Sequence, residues 1–283
     1  MESESKQSDK AYRMLPAASI LAGALLSAAT IYKGQSGPLQ QQAIATDVAQ
    51  KSPVVLSESE TLPIIWGDLG ARLVASGTID GARFKTLYGA DEKDLTMTKD
   101  NAGLILNLFW ALGLGNKNAI LDSGEMADRR YGGAGNFAST GGWTLAQGDP
   151  MDHYSMHMFI DLTPEEQALV DKVSRGIYRP CCNNSTHFPD CNHGMAMLGL
   201  LELMASQGAS ESVMWRTALA VNSFWFPDAY EAIAGYMQTK GIEWKTVDPQ
   251  QALSAGYSSA SGLARVMAET TGSGSSQGSS CSA

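Results

Sequence analysis

One segment of the chain carries a complete set of helix start and stop signals. Thr163 can serve as the N-cap, Pro164 suits the first helical position, and Glu166 is placed to close a capping box with the threonine. Pro180 disfavours helical backbone at Arg179, so the helix has to end before the proline. These signals predict a helix that stops directly in front of a loop rich in cysteine and histidine.

Similar signals recur through most of the chain and predict a mostly α fold. An almost wholly apolar segment over 101–115 is typical of a central core helix. Apolar residues at helical spacing over 64–74 predict another helix, with Ile65 on its apolar face and Gly77 at its end. Further helices are expected to begin near Asn192, Ser210, Pro227 and Asp248, the last of them short. We therefore expect a single helical domain over residues 62–268.

A glycine-rich stretch over 131–150 interrupts this helical pattern. Gly133, Gly135 and Ala138 formally match a dinucleotide-binding fingerprint, but no apolar strand is predicted before them and no helix after them. We interpret the stretch as a long ordered loop, either irregular or containing a short β segment. A nucleotide is accordingly excluded as a ligand.

The N-terminal region predicts export and attachment to a membrane. Lys6, Lys10 and Arg13 precede an apolar run over 15–32, which as a helix would be about 27 Å long, close to the thickness of the hydrocarbon core. We interpret 15–32 as a transmembrane anchor or a signal sequence, with the anchor favoured, and 1–14 as its cytoplasmic basic segment. The main domain would then lie outside the cytoplasm, and it would be secreted if the N-terminal segment is cleaved.

Two polar segments flank the expected domain. Residues 33–61 lack periodicity and predict a flexible linker between the membrane and the domain. Residues 269–283 are rich in glycine and serine and predict a disordered tail. The net charge of −9, with no basic stripe after the N-terminal segment, excludes nucleic acid as a partner because binding to phosphates requires clustered Lys and Arg.

Three of the four cysteines and two of the four histidines lie close together in the chain. Thiolate sulfur and imidazole nitrogen are the ligands that zinc and copper(I) prefer, and four of them satisfy a tetrahedral ion. The stretch therefore predicts one bound metal ion, copper or zinc. His193 is favoured over His187 as the fourth ligand because it shares a predicted helical turn with Cys191. The five candidate ligands are Cys181, Cys182, His187, Cys191 and His193.

Two alternatives to a metal site remain open at the level of sequence. Cys181 or Cys182 could pair with Cys191 in a disulfide, as is common in exported proteins. Cys191 could instead act as a nucleophile or in thiol–disulfide exchange, since the N-terminus of a helix lowers the pKa of a thiol.

The disulfide alternative would suit a structural subunit that docks in a membrane complex. Exposed aromatic side chains would then supply the contact surface, because aromatic residues are enriched at protein interfaces. The candidates are Trp215, Trp225 and Phe226.

The remaining two histidines, His153 and His157, are four residues apart. On a helix they would share a face and could chelate one ion, whereas on a strand their Cα atoms would be about 13 Å apart. The alternation of apolar residues around them favours an extended segment, so we do not expect them to bind an ion together. The methionines of the two histidine-containing segments suit copper(I) better than zinc.

Residues 164–236 resemble the bacterial secreted proteins with a PCYCGC motif. In both, a helix ends in Pro-Cys and is followed by a second cysteine, a histidine and a further cysteine; the matching positions here are Pro180, Cys181, Cys182, His187 and Cys191. The sequence "PCCNN" stands where the family has a longer cysteine run, and "HGMAMLG" stands where it has a later cysteine pair. The resemblance implies metal binding and no particular activity.

These observations together predict a membrane-tethered, extracytoplasmic protein. Its role would be to capture, buffer or deliver one soft or borderline metal ion rather than to turn over a substrate. A docking subunit and a thiol-dependent redox enzyme are the alternatives.

Overall fold

Helices dominate the part of the chain that this computed structural model describes, residues 56–88, 95–141 and 145–272. The helices there are α1 (Leu69–Ser76), α2 (Gly81–Tyr88), α3 (Ala102–Gly115), α4 (Ala119–Ser123), α5 (Ala138–Gly141), α6 (Pro164–Gly176), α7 (Asn192–Ser206), α8 (Glu211–Trp225), α9 (Pro227–Thr239), α10 (Pro249–Leu253), α11 (Ala255–Ser258) and α12 (Ala260–Gly272). Two short strands, β1 (Ser59–Thr61) and β2 (Thr96–Thr98), pair in antiparallel fashion. The predicted mostly α fold is confirmed.

Helices α3 and α7 form the centre of the core. Eleven of the fourteen residues of α3 and twelve of the fifteen of α7 are buried, as expected for helices that are apolar on nearly every face. The two backbones touch at Gly113 and Gly199: a Cβ atom at Gly199 would lie 2.5 Å from the Phe109 carbonyl oxygen and 2.6 Å from the Gly113 nitrogen. This close approach fixes the position of α7, which has Cys191 as its N-cap and His193 in its first turn.

Helix α6 begins as its sequence signals predict. The Thr163 hydroxyl accepts a hydrogen bond from the Glu166 backbone N–H, and the Glu166 carboxylate accepts one from the Thr163 N–H. The helix ends at Gly176, a little earlier than the proline alone requires, because Ile177 is extended and the Tyr178 N–H donates to the Leu253 carbonyl of α10.

Two details of the predicted helices are wrong. Helix α1 starts only at Leu69, because Gly67 has a positive φ of 61° and breaks any helix continuing from residue 64; Ile65 is consequently 69% exposed. Helix α10 is followed by α11 and α12, although it was expected to be the last. Helix α12 is amphipathic, and its Val266 is fully buried.

The described parts of the glycine-rich stretch 131–150 form 3₁₀ turns and the short helix α5, with no strand among them. The strand β1 lies instead at the end of the predicted linker 33–61. The predicted segments 1–14 and 15–32 lie outside the described residues, as does the predicted tail beyond residue 272. Residues 269–272, which were also assigned to the disordered tail, belong to α12 instead. Among the helices that the structure describes, none combines the length and apolarity needed to cross a membrane.

Candidate metal centre

The loop between α6 and α7 folds back on itself and is held at both ends. The Thr186 N–H donates to the Ile177 carbonyl at 2.8 Å, and the His187 N–H donates to the Ser174 carbonyl at 3.1 Å. On the other side, the Cys182 carbonyl accepts a hydrogen bond from the Ala260 N–H at the start of α12. The loop is thereby anchored to two helices, and its cysteines return to the first turn of α7.

The three cysteine sulfurs form a small triangle. The Sγ atoms of Cys181 and Cys182 are 3.0 Å apart, those of Cys182 and Cys191 3.1 Å, and those of Cys181 and Cys191 3.4 Å. All three are free thiols, since a disulfide requires about 2.05 Å between sulfurs. The Nδ1 atom of His193 lies 3.9 Å from the Cys181 sulfur, so Cys181, Cys191 and His193 form one compact group, and Cys191 also belongs to a second group with Cys182 and Asp190.

This arrangement fits a metal ion of the size of zinc after a small adjustment. Metal–sulfur bonds of about 2.3 Å at tetrahedral angles place the sulfurs about 3.8 Å apart. The three sulfurs would therefore move apart by roughly half an ångström to accept the ion. Cys181 is exposed while Cys182, Cys191 and His193 are half-buried, so the group opens to solvent on the Cys181 side.

A buried arginine lies beneath the sulfurs. Arg179 is only 1% exposed, and its Nε donates to the Cys191 sulfur at 2.9 Å. Its terminal nitrogens donate to the Asp190 carboxylate at 2.5 Å and to the Asn184 carbonyl at 2.9 Å. Burial alone would lower the pKa of Arg179, but the adjacent Cys191 and Cys182 sulfurs outweigh that effect and raise it, so the side chain is a fixed cation.

The three thiols differ in pKa. Hydrogen bonds from Cys181 and Cys182 lower the pKa of Cys191, against the effect of its burial, and His193 and Arg179 lower it further. Hydrogen bonds to its two neighbours and burial raise the pKa of Cys182. The hydrogen bond with Cys182 lowers the pKa of Cys181, but the contact with Cys191 outweighs it and raises the pKa to about 12. Cys191 is the thiolate of the group, and an entering ion has to displace protons from the other two thiols.

The structure does not bring His187 to the sulfurs. Its ring lies between two carboxylates, with Nδ1 2.7 Å from the Glu125 Oε2 and Nε2 2.7 Å from the Asp171 Oδ1. Arg175 binds the same Asp171 carboxylate with two nitrogens, at 3.0 and 3.1 Å. The two ring nitrogens of His187 thus connect α6 to the turn that contains Glu125. His187, which was predicted as a metal ligand, contacts these carboxylates instead of the sulfurs.

Two residues at the site extend what the sequence suggested. No role at the site was predicted for Arg179. Its position directly before Pro180 and Cys181 could have indicated a cation next to the thiols. The Asp190 carboxylate lies within 4.8 Å of the Cys182 and Cys191 sulfurs, which makes it a further candidate ligand. Asp190 is held by Arg179 and by the Asn184 amide, which donates at 2.8 Å.

Apolar side chains border the exposed edge of the site. The His193 ring lies 4.3 Å from the Phe226 ring and 5.8 Å from the Trp225 ring, measured between centroids. A cavity of about 440 Å³ beside Cys181 is lined by these two aromatic residues and by the exposed Met267. Trp215, which the docking alternative requires at the surface, is only 6% exposed.

The pair of histidines outside the loop is closer than expected. The sequence favoured an extended segment that would hold His153 and His157 apart, but a turn at Ser155 brings His153 Nδ1 to 3.1 Å from His157 Nε2. The prediction that they cannot meet is wrong, because it assumed a regular strand, whereas the chain reverses through a positive φ of 53° at the serine.

No family model, no curated protein and no solved structure matches this chain.

Proposed function

We propose that this protein binds one soft or borderline metal ion through Cys181, Cys182, Cys191 and His193. The observation that carries the proposal is that the Cys182 sulfur, the Cys191 sulfur and the His193 Nδ1 atom all lie within 3.9 Å of the Cys181 sulfur. Groups of this composition bind zinc and copper(I) in preference to magnesium or calcium. The Arg179 cation offsets part of the negative charge that three thiolates would bring together.

The proposed role is capture, buffering or delivery of copper or zinc outside the cytoplasm, with the N-terminal segment 15–32 as the tether. The exposed position of Cys181 supports exchange of the ion with the surroundings, because a ligand from outside can reach that metal-binding atom. The resemblance to the proteins with a PCYCGC motif agrees with this proposal.

A thiol-dependent redox activity is the second candidate, and one observation favours it. Cys191 has a lowered pKa beside a buried arginine, and Cys182 lies 3.1 Å away as a potential partner for a disulfide. Such a pair is suited to attack a disulfide of another protein and to resolve the mixed disulfide that forms.

The test is elemental analysis of the full chain purified from its native compartment, combined with a count of free thiols. We expect close to one copper or zinc ion per chain, lost in Cys191→Ser and retained in Cys281→Ser, which removes a thiol outside the loop. Absence of metal, with two of the three loop thiols oxidised to a disulfide, would overturn the metal-binding proposal and favour the redox function.

A further inference from the structure

His153 and His157 form a second group of metal-binding atoms, separate from the cysteine loop. Their rings are stacked with centroids 5.4 Å apart, and His153 Nδ1 lies 3.1 Å from His157 Nε2. Two metal–nitrogen bonds of about 2.0–2.1 Å place the nitrogens about 3.3 Å apart at a tetrahedral angle and about 2.9 Å apart at a right angle. The observed separation falls between these two values.

The tautomer of His153 is set by a backbone contact. Its Nε2 lies 3.2 Å from the Gln147 carbonyl oxygen, which can only accept, so Nε2 carries the proton. The lone pair of the neutral ring is then on Nδ1, the atom that faces His157. A carbonyl that holds the far N–H of an imidazole is the usual support of a metal-binding histidine.

One of the two histidine rings is buried and the other is partly open to solvent. His153 is 8% exposed and packs beside Gly77, where a Cβ atom would lie 3.2 Å from its Cε1. His157 is half-buried, so part of its ring is open to solvent. An ion can therefore approach from the side of His157 and meet a preformed nitrogen pair.

The backbone between the histidines supports the same conclusion. Ser155 is the one non-glycine residue with positive φ among the described residues, and its conformation produces the turn that makes the rings face each other. Hydrogen bonds from the Ser155 N–H to the Leu114 carbonyl and from its hydroxyl to Asp122 hold it there. Strained conformations of this kind are concentrated at functional sites.

We propose that His153 and His157 form a second metal site that binds a borderline divalent transition ion, such as zinc, nickel or cobalt, through two imidazole nitrogens. Imidazole suits these ions, and the remaining coordination positions are left to solvent. The site contains no residue of the cysteine loop, so it can be tested independently of the proposed function.

The test uses Ni²⁺ and the full chain, to which one equivalent of zinc has first been added for the cysteine loop and from which unbound zinc has been removed. The chain has four histidines, so its imidazole NMR signals can be assigned by single substitutions. We expect Ni²⁺ to broaden the signals of His153 and His157 before those of His187 and His193, and calorimetry to show one binding event. His157→Gln lacks one of the two nitrogen ligands, so it should bind Ni²⁺ about 100-fold more weakly than the wild type.

The matched control is Met158→Leu, which changes an exposed neighbour of His157 and should leave the affinity unaltered. Unchanged Ni²⁺ binding in His157→Gln, or the absence of selective broadening at the two rings, would overturn the second site and leave the 3.1 Å contact as a hydrogen bond between imidazoles. Metal binding by the cysteine loop is determined separately, by measuring the zinc content of the protein.

Discussion

Arg179 and Cys191 are in contact under the loop, where the arginine Nε donates a hydrogen bond of 2.9 Å to the cysteine sulfur. The sulfur lies at the first turn of α7 and the arginine at the end of the segment leaving α6, twelve residues earlier. A buried cation next to a thiol favours the thiolate, because the charged forms stabilise each other where water is excluded. This contact connects the architecture of the loop to its chemistry.

Replacing Arg179 should make Cys191 less reactive. In Arg179→Met the stabilising cation is lost, so the pKa of Cys191 should rise and its alkylation by iodoacetamide at pH 7 should become slower. Mass spectrometry of the labelled peptide identifies which thiol has reacted. Arg179→Lys, which keeps the charge, should remain closer to the wild type; equal rates in all three proteins would contradict this role of the arginine.

The two loop histidines should behave differently when they are replaced. His193→Asn should weaken metal binding by about ten-fold or more in competition with a chelator, because it removes a proposed ligand. His187→Asn should leave the affinity unchanged and lower the thermal midpoint instead, because it removes the contacts to Glu125 and Asp171. Loss of affinity in His187→Asn, with secondary structure intact by circular dichroism, would show that the loop rearranges to use that residue.

The contact between α3 and α7 should not tolerate an added methyl group. Gly199→Ala would place a Cβ atom 2.5 Å from the Phe109 carbonyl oxygen, against backbone that has no room to move. We expect a loss of about 1–3 kcal/mol or more in the free energy of unfolding, measured with urea. Gly103→Ala in the same α3 meets nothing within 4 Å and should stabilise the protein by up to about 1 kcal/mol.

Glu202 should make stability fall as pH rises. Burial raises its pKa well above the ordinary value, against the opposing hydrogen bonds from Asn116 and Asn118. A carboxyl whose folded pKa is raised stabilises the fold below its unfolded pKa, and this contribution is lost as pH increases toward the folded pKa. Glu202→Gln should therefore gain stability relative to the wild type between pH 5 and pH 8 in urea titrations.

A second carboxyl provides the control for that pH dependence. Glu211 on α8 has a lowered pKa because of its hydrogen bond from Lys172, and its contribution to stability is lost only as pH falls below the ordinary carboxyl pKa, so the difference between Glu211→Gln and the wild type should be constant between pH 5 and pH 8. A flat difference between Glu202→Gln and wild type over this pH range would mean that Glu202 does not change its protonation on folding.

Local sequence determined the helices and most of their ends. The capping box of Thr163 and Glu166 and the left-handed Gly77 are local features, readable because each depends on a few neighbouring residues. The apolar sequence of α3 likewise predicted a buried central helix, since burial follows from composition when no polar face exists. The local grouping of cysteines and histidines also indicated a candidate metal site.

The sequence favoured His193 as the fourth ligand, but only the tertiary structure separated His187 from the sulfurs. Glu125, 62 residues away in the chain, engages the His187 ring. The meeting of His153 with His157 depends on a turn held by Leu114 and Asp122, which sequence spacing does not reveal. Partners brought from distant parts of the chain set these outcomes, because hydrogen bonds and charge pairing depend on proximity in space rather than along the sequence.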